Sequence, residues 1–150
     1  MKDSKLKIDT PKDNLGSLKI VIVTTYWNQE IIKPMLHDCQ MELKNHNLDS
    51  EIFTVPGAYE LPFIAKKLTN TFDIIILLGC IIKGETPHFE IISQSISDKV
   101  LETSLEKNTP IIFGVLTTNN ESEAKERAAY KGSEFAMSAL SILDTLNKLK

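Results

Sequence analysis

The run Asp73-Ile74-Ile75-Ile76-Leu77-Leu78 decides the fold, because its side chains are apolar on both faces of an extended chain. A strand of this kind is buried on both sides, which is typical of parallel sheets covered by helices. Ile20–Val23 is β-branched and continuous in the same way, and Pro110–Leu116 repeats the pattern. Glu51–Val55 is a weaker version. Four strands are therefore predicted.

Helical periodicity fills the stretches between these strands. An apolar stripe with spacings of three and four residues predicts the first helix, and it consists of Ile31, Ile32, Met35, Leu36, Cys39 and Leu43. Pro34 lies within that stripe and is expected to shift the start of the helix or to kink its first turns. The patterns predict further helices at about residues 60–68, 88–107 and 121–149.

The last helical stretch has a clear start and an expected interruption. Asn120 and Glu123 have the spacing of a capping box, which favours a helix start there. Lys131 and Gly132 predict a break further along. Four strand–helix repeats predict an α/β fold, three-layer α/β/α with a four-stranded parallel sheet of flavodoxin-like type. We expect a single domain at residues 18–150, preceded by a polar arm at residues 1–17.

Composition excludes several classes of function. The 150 residues carry 17 Lys+Arg and 20 Asp+Glu, a net charge of −3, which does not supply the basic surface that nucleic acids require. Two cysteines are too few for a disulfide framework and fit a reducing compartment. The first residues lack the apolar core of a signal peptide, and no apolar run is long enough to span a bilayer. We therefore expect a cytoplasmic protein without a membrane partner.

Ligands of open parallel sheets bind at the carboxyl ends of the strands. The loop at residues 24–28 reads Thr-Thr-Tyr-Trp-Asn and has no glycine with which to close on a phosphate. Its Trp27 either packs as a core or interface aromatic or stacks on a flat heterocycle. In the second loop, Gly57 and Glu60 either form a capped turn or bind a uracil-like edge or a polyol.

The third and fourth loops contain groups suited to anions. Residues 79–88 read Gly-Cys-Ile-Ile-Lys-Gly-Glu-Thr-Pro-His, and a helix that starts near Pro87 would direct free N–H groups towards an anion. Thr86 could cap that helix or bind an oxyanion, and His88 is either a surface or a functional histidine. Arg127 follows Glu123 by four residues, so an exposed ion pair is the simplest interpretation. No metal-ligand spacing is present.

Taken together, these stretches resemble the lumazine synthase family. The resemblance rests on IVIVTTYWNQEI (20–31), VPGAYELPFIAKKL (55–68), GCIIKGETPHFE (79–90) and PIIFGVLTTNNESEAKERA (110–128), and KGSEFAMSAL (131–140) extends it. It implies a transferase of riboflavin biosynthesis that condenses 5-amino-6-(D-ribitylamino)uracil with 3,4-dihydroxy-2-butanone 4-phosphate. The implied products are 6,7-dimethyl-8-ribityllumazine, phosphate and water, and the implied reaction uses no cofactor and no metal.

The resemblance also implies roles for individual residues. It places the proton-transfer step on His88 and the phosphate of the butanone substrate on Glu85, Thr86 and Arg127. It assigns binding of ribitylaminouracil to Trp27, Ala58, Tyr59, Glu60, Cys80, Ile81, Ile82, Phe113 and Lys131. Within that set, Trp27 takes the stacking position, Glu60 the ribityl hydroxyls, and residues 80–82 the backbone edge that reads the pyrimidine. Phe113 takes a position that a neighbouring subunit contributes.

One departure from the family pattern affects the expected assembly. The family usually has a glycine- and lysine-rich turn after the position of Arg127, and residues 127–132 are about four residues shorter here. Lys131 matches the later lysine of that region. Because the family's 60-subunit shells use this turn, we expect a free pentamer rather than a closed shell. The arm segment Lys5–Ile8 could add a strand to a neighbouring subunit's sheet.

Two alternatives to a lumazine synthase were weighed. A non-catalytic flavin or pterin binder on a flavodoxin-like sheet is disfavoured, because Tyr26 and Trp27 would crowd its phosphate loop. A structural shell protein without the enzyme activity is disfavoured by the presence of both His88 and Arg127.

Overall fold

The computed structural model describes residues 17–150, in which strands and helices alternate. The strands are β1 (Ile20–Thr25), β2 (Ser50–Val55), β3 (Ile74–Ile82) and β4 (Ile111–Thr118). The helices are α1 (Gln29–Asn45), α2 (Leu61–Leu68), α3 (His88–Lys107) and α4 (Glu121–Lys148), and a 3-10 turn, Ala58–Glu60, precedes α2. All strand pairs are parallel, in the order β2-β1-β3-β4. The strand that the arm segment Lys5–Ile8 was expected to add lies outside the described residues.

Two hydrophobic layers cover the two faces of the sheet, as the continuous apolar strands predicted. Alternate residues of β1 and β3 point to opposite faces. One layer joins them to α1 and α4, and its strand residues are Ile20, Ile22, Ile74, Ile76 and Leu78. The other joins them to α2 and α3, and its strand residues are Val21, Val23, Ile75 and Leu77. The predicted three-layer α/β/α class is confirmed.

Helix α1 buries the predicted stripe but does not start at the proline. Pro34 lies inside the helix, five residues after its first residue, Gln29. Pro34 is the sixth residue of α1, beyond the amino-terminal N–H groups that have no partner within a helix, so the helix lacks one backbone hydrogen bond at that position. The stripe residues at positions 31, 32, 35, 39 and 43 are buried.

The predicted break in α4 is wrong, because the helix continues without interruption through Lys131 and Gly132. A Cβ at position 132 would overlap the backbone carbonyl of Met35 on α1. The glycine therefore allows two helices to approach closely and does not end one of them. The start of α4 agrees with the predicted cap: the Glu123 N–H donates to Asn120 Oδ1 (2.8 Å), while the Glu123 carboxylate accepts from the N–H of Asn119 (3.0 Å).

Strands β1 and β3 extend further than their apolar runs predicted. Residues 79–82 belong to β3, since its pairing with β4 continues to Ile82 opposite Thr118. Thr24 and Thr25 likewise belong to β1, where they pair with β2. Backbone pairing continues past the last apolar side chain, and so it moves these residues from the predicted loops to the ends of strands. Within residues 17–150, no helix is long and apolar enough to cross a membrane.

Candidate active site

The loops after β1 and β2 are joined by their backbones. The Tyr26 N–H donates to the Val55 carbonyl (2.9 Å), and the Trp27 N–H donates to the Pro56 carbonyl (3.0 Å). The Trp27 side chain is 73% exposed, yet its indole lies beside Gly57, where an added Cβ would come within 3.3 Å of the ring. The indole is therefore open to solvent on one side, and its backbone is fixed to the loop after β2.

Glu60 folds back onto the same loop. Its Oε2 accepts from the Gly57 N–H at 3.0 Å, which closes the 3-10 turn of residues 58–60. Ala58 packs against the apolar layer beneath α2 and α3, whereas Tyr59 points outward and is 68% exposed. The turn thus places a carboxylate near the Trp27 indole.

The third loop meets the first through a side chain that the sequence did not reveal. The Asn28 Nδ2 donates to the Cys80 carbonyl at 3.1 Å, across 52 residues of chain. Cys80 is buried at the end of β3, and burial raises the pKa of its thiol to about 11. The thiol is protonated at neutral pH, so the chemistry of residues 80–82 at this site is that of their backbone groups. No local pattern in the sequence signals a hydrogen bond between positions so far apart.

The predicted phosphate turn follows β3 and precedes α3. The Lys83 N–H donates to the Thr118 carbonyl (2.9 Å), which fixes the start of the turn against β4. Glu85, Thr86 and His88 are all exposed. The Thr86 hydroxyl accepts from the His88 N–H (3.4 Å) at the first turn of α3. The 20-residue helix α3 begins here, so its positive dipole end lies next to these side chains.

Arg127 lies near the carboxyl end of β4. Its Nη1 donates to the Thr117 carbonyl (3.3 Å), and Thr117 pairs with Ile81 of β3. No ion pair joins Arg127 to Glu123 within residues 17–150, so the simple exposed-pair interpretation is wrong. Lys131 lies one turn further along α4 and pairs with Glu134 (3.1 Å).

Phe113 is not brought to this cluster. It pairs with Leu77, three residues before Cys80 in the register, on the edge strand β4, which is about 10 Å along the strand. There it lines an open cleft of about 330 Å³ with residues of α3, among them Phe89 and Ser93. The Ser93 hydroxyl is buried without a hydrogen-bond partner. Phe113 thus lies on the face of the sheet that α3 covers.

The described residues therefore bring an indole, a carboxylate and a strand-end backbone edge together at the carboxyl ends of β2, β1 and β3. A histidine and a helix amino terminus lie beside them. This is an α/β protein of the open parallel-sheet class, and the cluster lies at the edge of the sheet where ligands of that class usually bind. Among residues 17–150, no group of three or more His, Cys, Asp or Glu side chains could hold a metal ion.

Comparison with known proteins identifies the family. The 6,7-dimethyl-8-ribityllumazine synthase family model matches residues 17–147. Proteins of that name from Limosilactobacillus reuteri and Clostridium kluyveri are each 37% identical; the alignments cover 95% and 97% of this chain and 96% and 100% of those proteins. A de novo designed Rossmann fold protein matches with a TM-score of 0.39 and 19% identity, over 73% of this chain and 92% of its own. The chain belongs to the 6,7-dimethyl-8-ribityllumazine synthase family, which confirms the family and the enzyme class predicted from the sequence.

Proposed function

We propose that the cluster at the carboxyl ends of β2, β1 and β3 is the active site. There, 5-amino-6-(D-ribitylamino)uracil condenses with 3,4-dihydroxy-2-butanone 4-phosphate to give 6,7-dimethyl-8-ribityllumazine, phosphate and water, in riboflavin biosynthesis. The observation that carries this proposal is the contact of Trp27 with Gly57, whose N–H in turn binds Glu60. A flat stacking surface and a polyol-binding carboxylate on one loop match a substrate with a pyrimidine ring and a ribityl chain.

The ribitylaminouracil occupies the part of the site formed by β1, β2 and β3. Trp27 stacks on the pyrimidine, while Glu60 accepts hydrogen bonds from ribityl hydroxyls, with Ala58 and Tyr59 supplying the rest of the turn. The backbone of residues 80–82 reads the polar edge of the uracil. Backbone groups suit this task because they are fixed by the sheet and match the alternating donors and acceptors of the ring.

The butanone phosphate occupies the turn before α3. The Glu85–Thr86 backbone and the α3 amino terminus offer N–H donors to the phosphate, where the helix dipole favours negative charge. Arg127 adds a planar guanidinium fork that suits a phosphate and stabilises it as a leaving group. Lys131, one turn further along α4, binds the ribitylaminouracil rather than the phosphate.

His88 is the proton-transfer residue. Imine formation and phosphate release both move protons near neutral pH, where an imidazole is an effective acid and base. The amine and the ketone can condense without covalent help from the protein, so holding them in place supplies much of the acceleration. No cofactor and no metal takes part in the reaction as proposed.

The working unit is a pentamer with active sites between subunits. Phe113 supports this proposal, because it lines an open cleft on the edge strand rather than the cluster of its own chain. Exposed apolar side chains on α3 supply a surface for a neighbour: Ile91, Leu101 and Leu105. The unbroken α4 lacks the turn on which closed shells depend, which favours free pentamers. Light scattering should give about 85 kDa (5 × 16.9 kDa) rather than about 1 MDa (60 × 16.9 kDa).

Two further assignments accompany the proposed activity. Residues 18–150 form one catalytic domain. The enzyme acts in the cytoplasm, which suits the two buried free thiols, Cys39 and Cys80.

Substrate titration of aromatic variants tests the site. Trp27→Ala should weaken ribitylaminouracil binding roughly five- to thirtyfold, the effect of losing a stacking contact worth about 1–2 kcal/mol. Tyr26→Ala is the matched control, since Tyr26 is an equally exposed neighbour with no assigned role (64% exposed). Equal losses in both variants, or none in Trp27→Ala, would contradict the assignment.

A further inference from the structure

The turn after β1 is built around a left-handed asparagine. Asn28 has φ 60° and ψ 27°, a conformation that asparagine tolerates better than other residues with a side chain. Its carbonyl accepts from the N–H groups of Ile31 and Ile32, at 3.0 Å each. Its side chain makes no capping bond to α1. The backbone thus starts the helix and leaves the amide of the side chain for another partner.

That partner lies at a gap in the sheet. The pairing of β1 with β3 ends at Val23 opposite Leu77, while β3 continues to Ile82. Cys80 therefore lies beyond the last β1–β3 pair, and its carbonyl accepts from Asn28 Nδ2 at 3.1 Å. The Asn28 side chain thus supplies the hydrogen bond that β1 would supply if its pairing with β3 continued. The backbone carbonyl of the buried Cys80 therefore has a partner.

The gap also determines which backbone groups face the ligand. The Lys83 N–H points to β4, where it donates to the Thr118 carbonyl. In a trans peptide the C=O points away from the N–H of the same unit, and residues 17–150 contain no cis peptide. The Ile82 carbonyl therefore points away from β4, to the side on which Asn28 binds Cys80.

The loop after β1 is also attached on its other side, to the residues that follow β2. The Trp27 N–H donates to the Pro56 carbonyl beyond β2, and the Trp27 carbonyl accepts from the Thr25 hydroxyl (2.7 Å). The loop thus spans the end of β1, with Trp27 attached to the β2 side and Asn28 to the β3 side. The hydrogen bond from Asn28 to Cys80 joins this loop to the backbone edge of β3.

We propose that Asn28 is a positioning residue for ribitylaminouracil. Its side-chain amide holds the Trp27 loop against the Cys80 carbonyl, and so it sets the distance between the indole that stacks on the pyrimidine and the backbone that reads the uracil edge. This role rests on the proposed function. It assigns Asn28 no direct part in proton transfer, so its loss affects binding of ribitylaminouracil more than the rate of chemistry.

Two variants distinguish the effect of the Asn28 side-chain amide from that of its left-handed backbone conformation. Asn28→Gly retains the left-handed conformation and removes the side chain, and Asn28→Asp retains the shape but replaces the donor with an acceptor. Asn47→Gly is the matched control, because Asn47 has the same φ of 60° in the turn between α1 and β2, at the other end of the sheet. Four quantities are measured: the KM for each of the two substrates, kcat, and the fluorescence anisotropy of Trp27, the only tryptophan.

Both Asn28 variants should raise KM for ribitylaminouracil about three- to tenfold, the usual effect of losing one hydrogen bond. Their kcat and their KM for the butanone phosphate should stay within about twofold of the wild-type values. Trp27 anisotropy without ligand should fall in both and stay unchanged in Asn47→Gly. Unchanged KM and anisotropy would overturn the proposal, as would a fall in kcat alone. If the wild type forms no lumazine, the proposed function fails, while the anisotropy of the ligand-free variants still decides whether Asn28 holds the loop.

Discussion

Gly57 and the Trp27 indole are in close contact: a Cβ at position 57 would lie 3.3 Å from Trp27 Cδ1 and 3.5 Å from the Glu60 carboxylate. A single residue without a side chain therefore separates the proposed stacking surface from the proposed ribityl-binding group. The distance between the Trp27 indole and the Glu60 carboxylate therefore depends on the lack of a side chain at position 57.

Gly57→Ala should fold normally and bind ribitylaminouracil less tightly. Its φ of −153° is open to alanine, so the backbone is not strained. The added methyl displaces the exposed indole by a few tenths of an ångström, and KM for ribitylaminouracil should rise about three- to tenfold, a cost of about 1 kcal/mol. Steady-state kinetics with each substrate varied separately measure the effect.

Gly84→Ala serves as the control for that variant, because nothing lies within 4 Å of an added Cβ there. Its KM for ribitylaminouracil should stay at the wild-type value. If Gly57→Ala and Gly84→Ala gave the same KM, the contact between residues 57 and 27 would have no role in binding.

Gly132→Ala should destabilise the protein although alanine is the better helix former. Alanine gains about 1 kcal/mol in helix propensity, but the methyl group would overlap the Met35 backbone of α1. Backbone cannot yield as a flexible side chain does, so we expect a net loss of roughly 1–3 kcal/mol. Urea unfolding measures the free energy of unfolding. Ser133→Ala, at a more exposed position of α4, is the control, and its free energy of unfolding should stay within about 0.5 kcal/mol of the wild-type value. An increase in stability would show that α1 and α4 do not pack as described.

His88→Ala should slow the reaction and leave measurable turnover. General acid–base help is worth roughly 10²–10⁴-fold, whereas the Trp27 and Glu60 contacts that position the substrate survive the change. Single-turnover rates measure the loss, and His37→Ala, exposed on α1, is the control. Complete loss with intact ribitylaminouracil binding would show that His88 does more than transfer protons.

Arg127→Ala should mainly weaken use of the butanone phosphate. Loss of a charge-assisted phosphate contact removes roughly 1.5–3 kcal/mol, about ten- to a hundredfold. Separate saturation curves for the two substrates make the distinction. Lys125→Ala removes a neighbouring charge that pairs with Glu121 (3.1 Å) and should leave both curves unchanged. An effect confined to the ribitylaminouracil curve would contradict the assignment of Arg127.

The layers of the fold were predictable because they depend on local patterns. Ile74–Leu78 is apolar at every position, and only a strand covered on both faces accommodates such a run. Gly132 shows where that logic fails. A glycine weakens a helix by its intrinsic preference. Here it allows close packing against Met35, 97 residues earlier, and no local sequence pattern predicts that contact.

The candidate site was predictable to a similar degree. Trp27, Glu60 and His88 follow predicted strands, and the ends of parallel strands meet at one edge of the sheet. Asn28 was missed, because its role lies in one hydrogen bond to a carbonyl 52 residues away. The resemblance suggested that Phe113 serves a neighbouring subunit, and its position on the edge strand β4 is compatible with that suggestion.

The most direct test of the proposed activity is to incubate the wild-type protein with ribitylaminouracil and the butanone phosphate and to record lumazine fluorescence and released phosphate together. The two substrates without protein give the uncatalysed rate. We predict lumazine formation well above that rate, with one phosphate released for each lumazine. A folded protein that binds ribitylaminouracil and forms lumazine no faster than the mixture without protein would contradict the assignment of this site to catalysis.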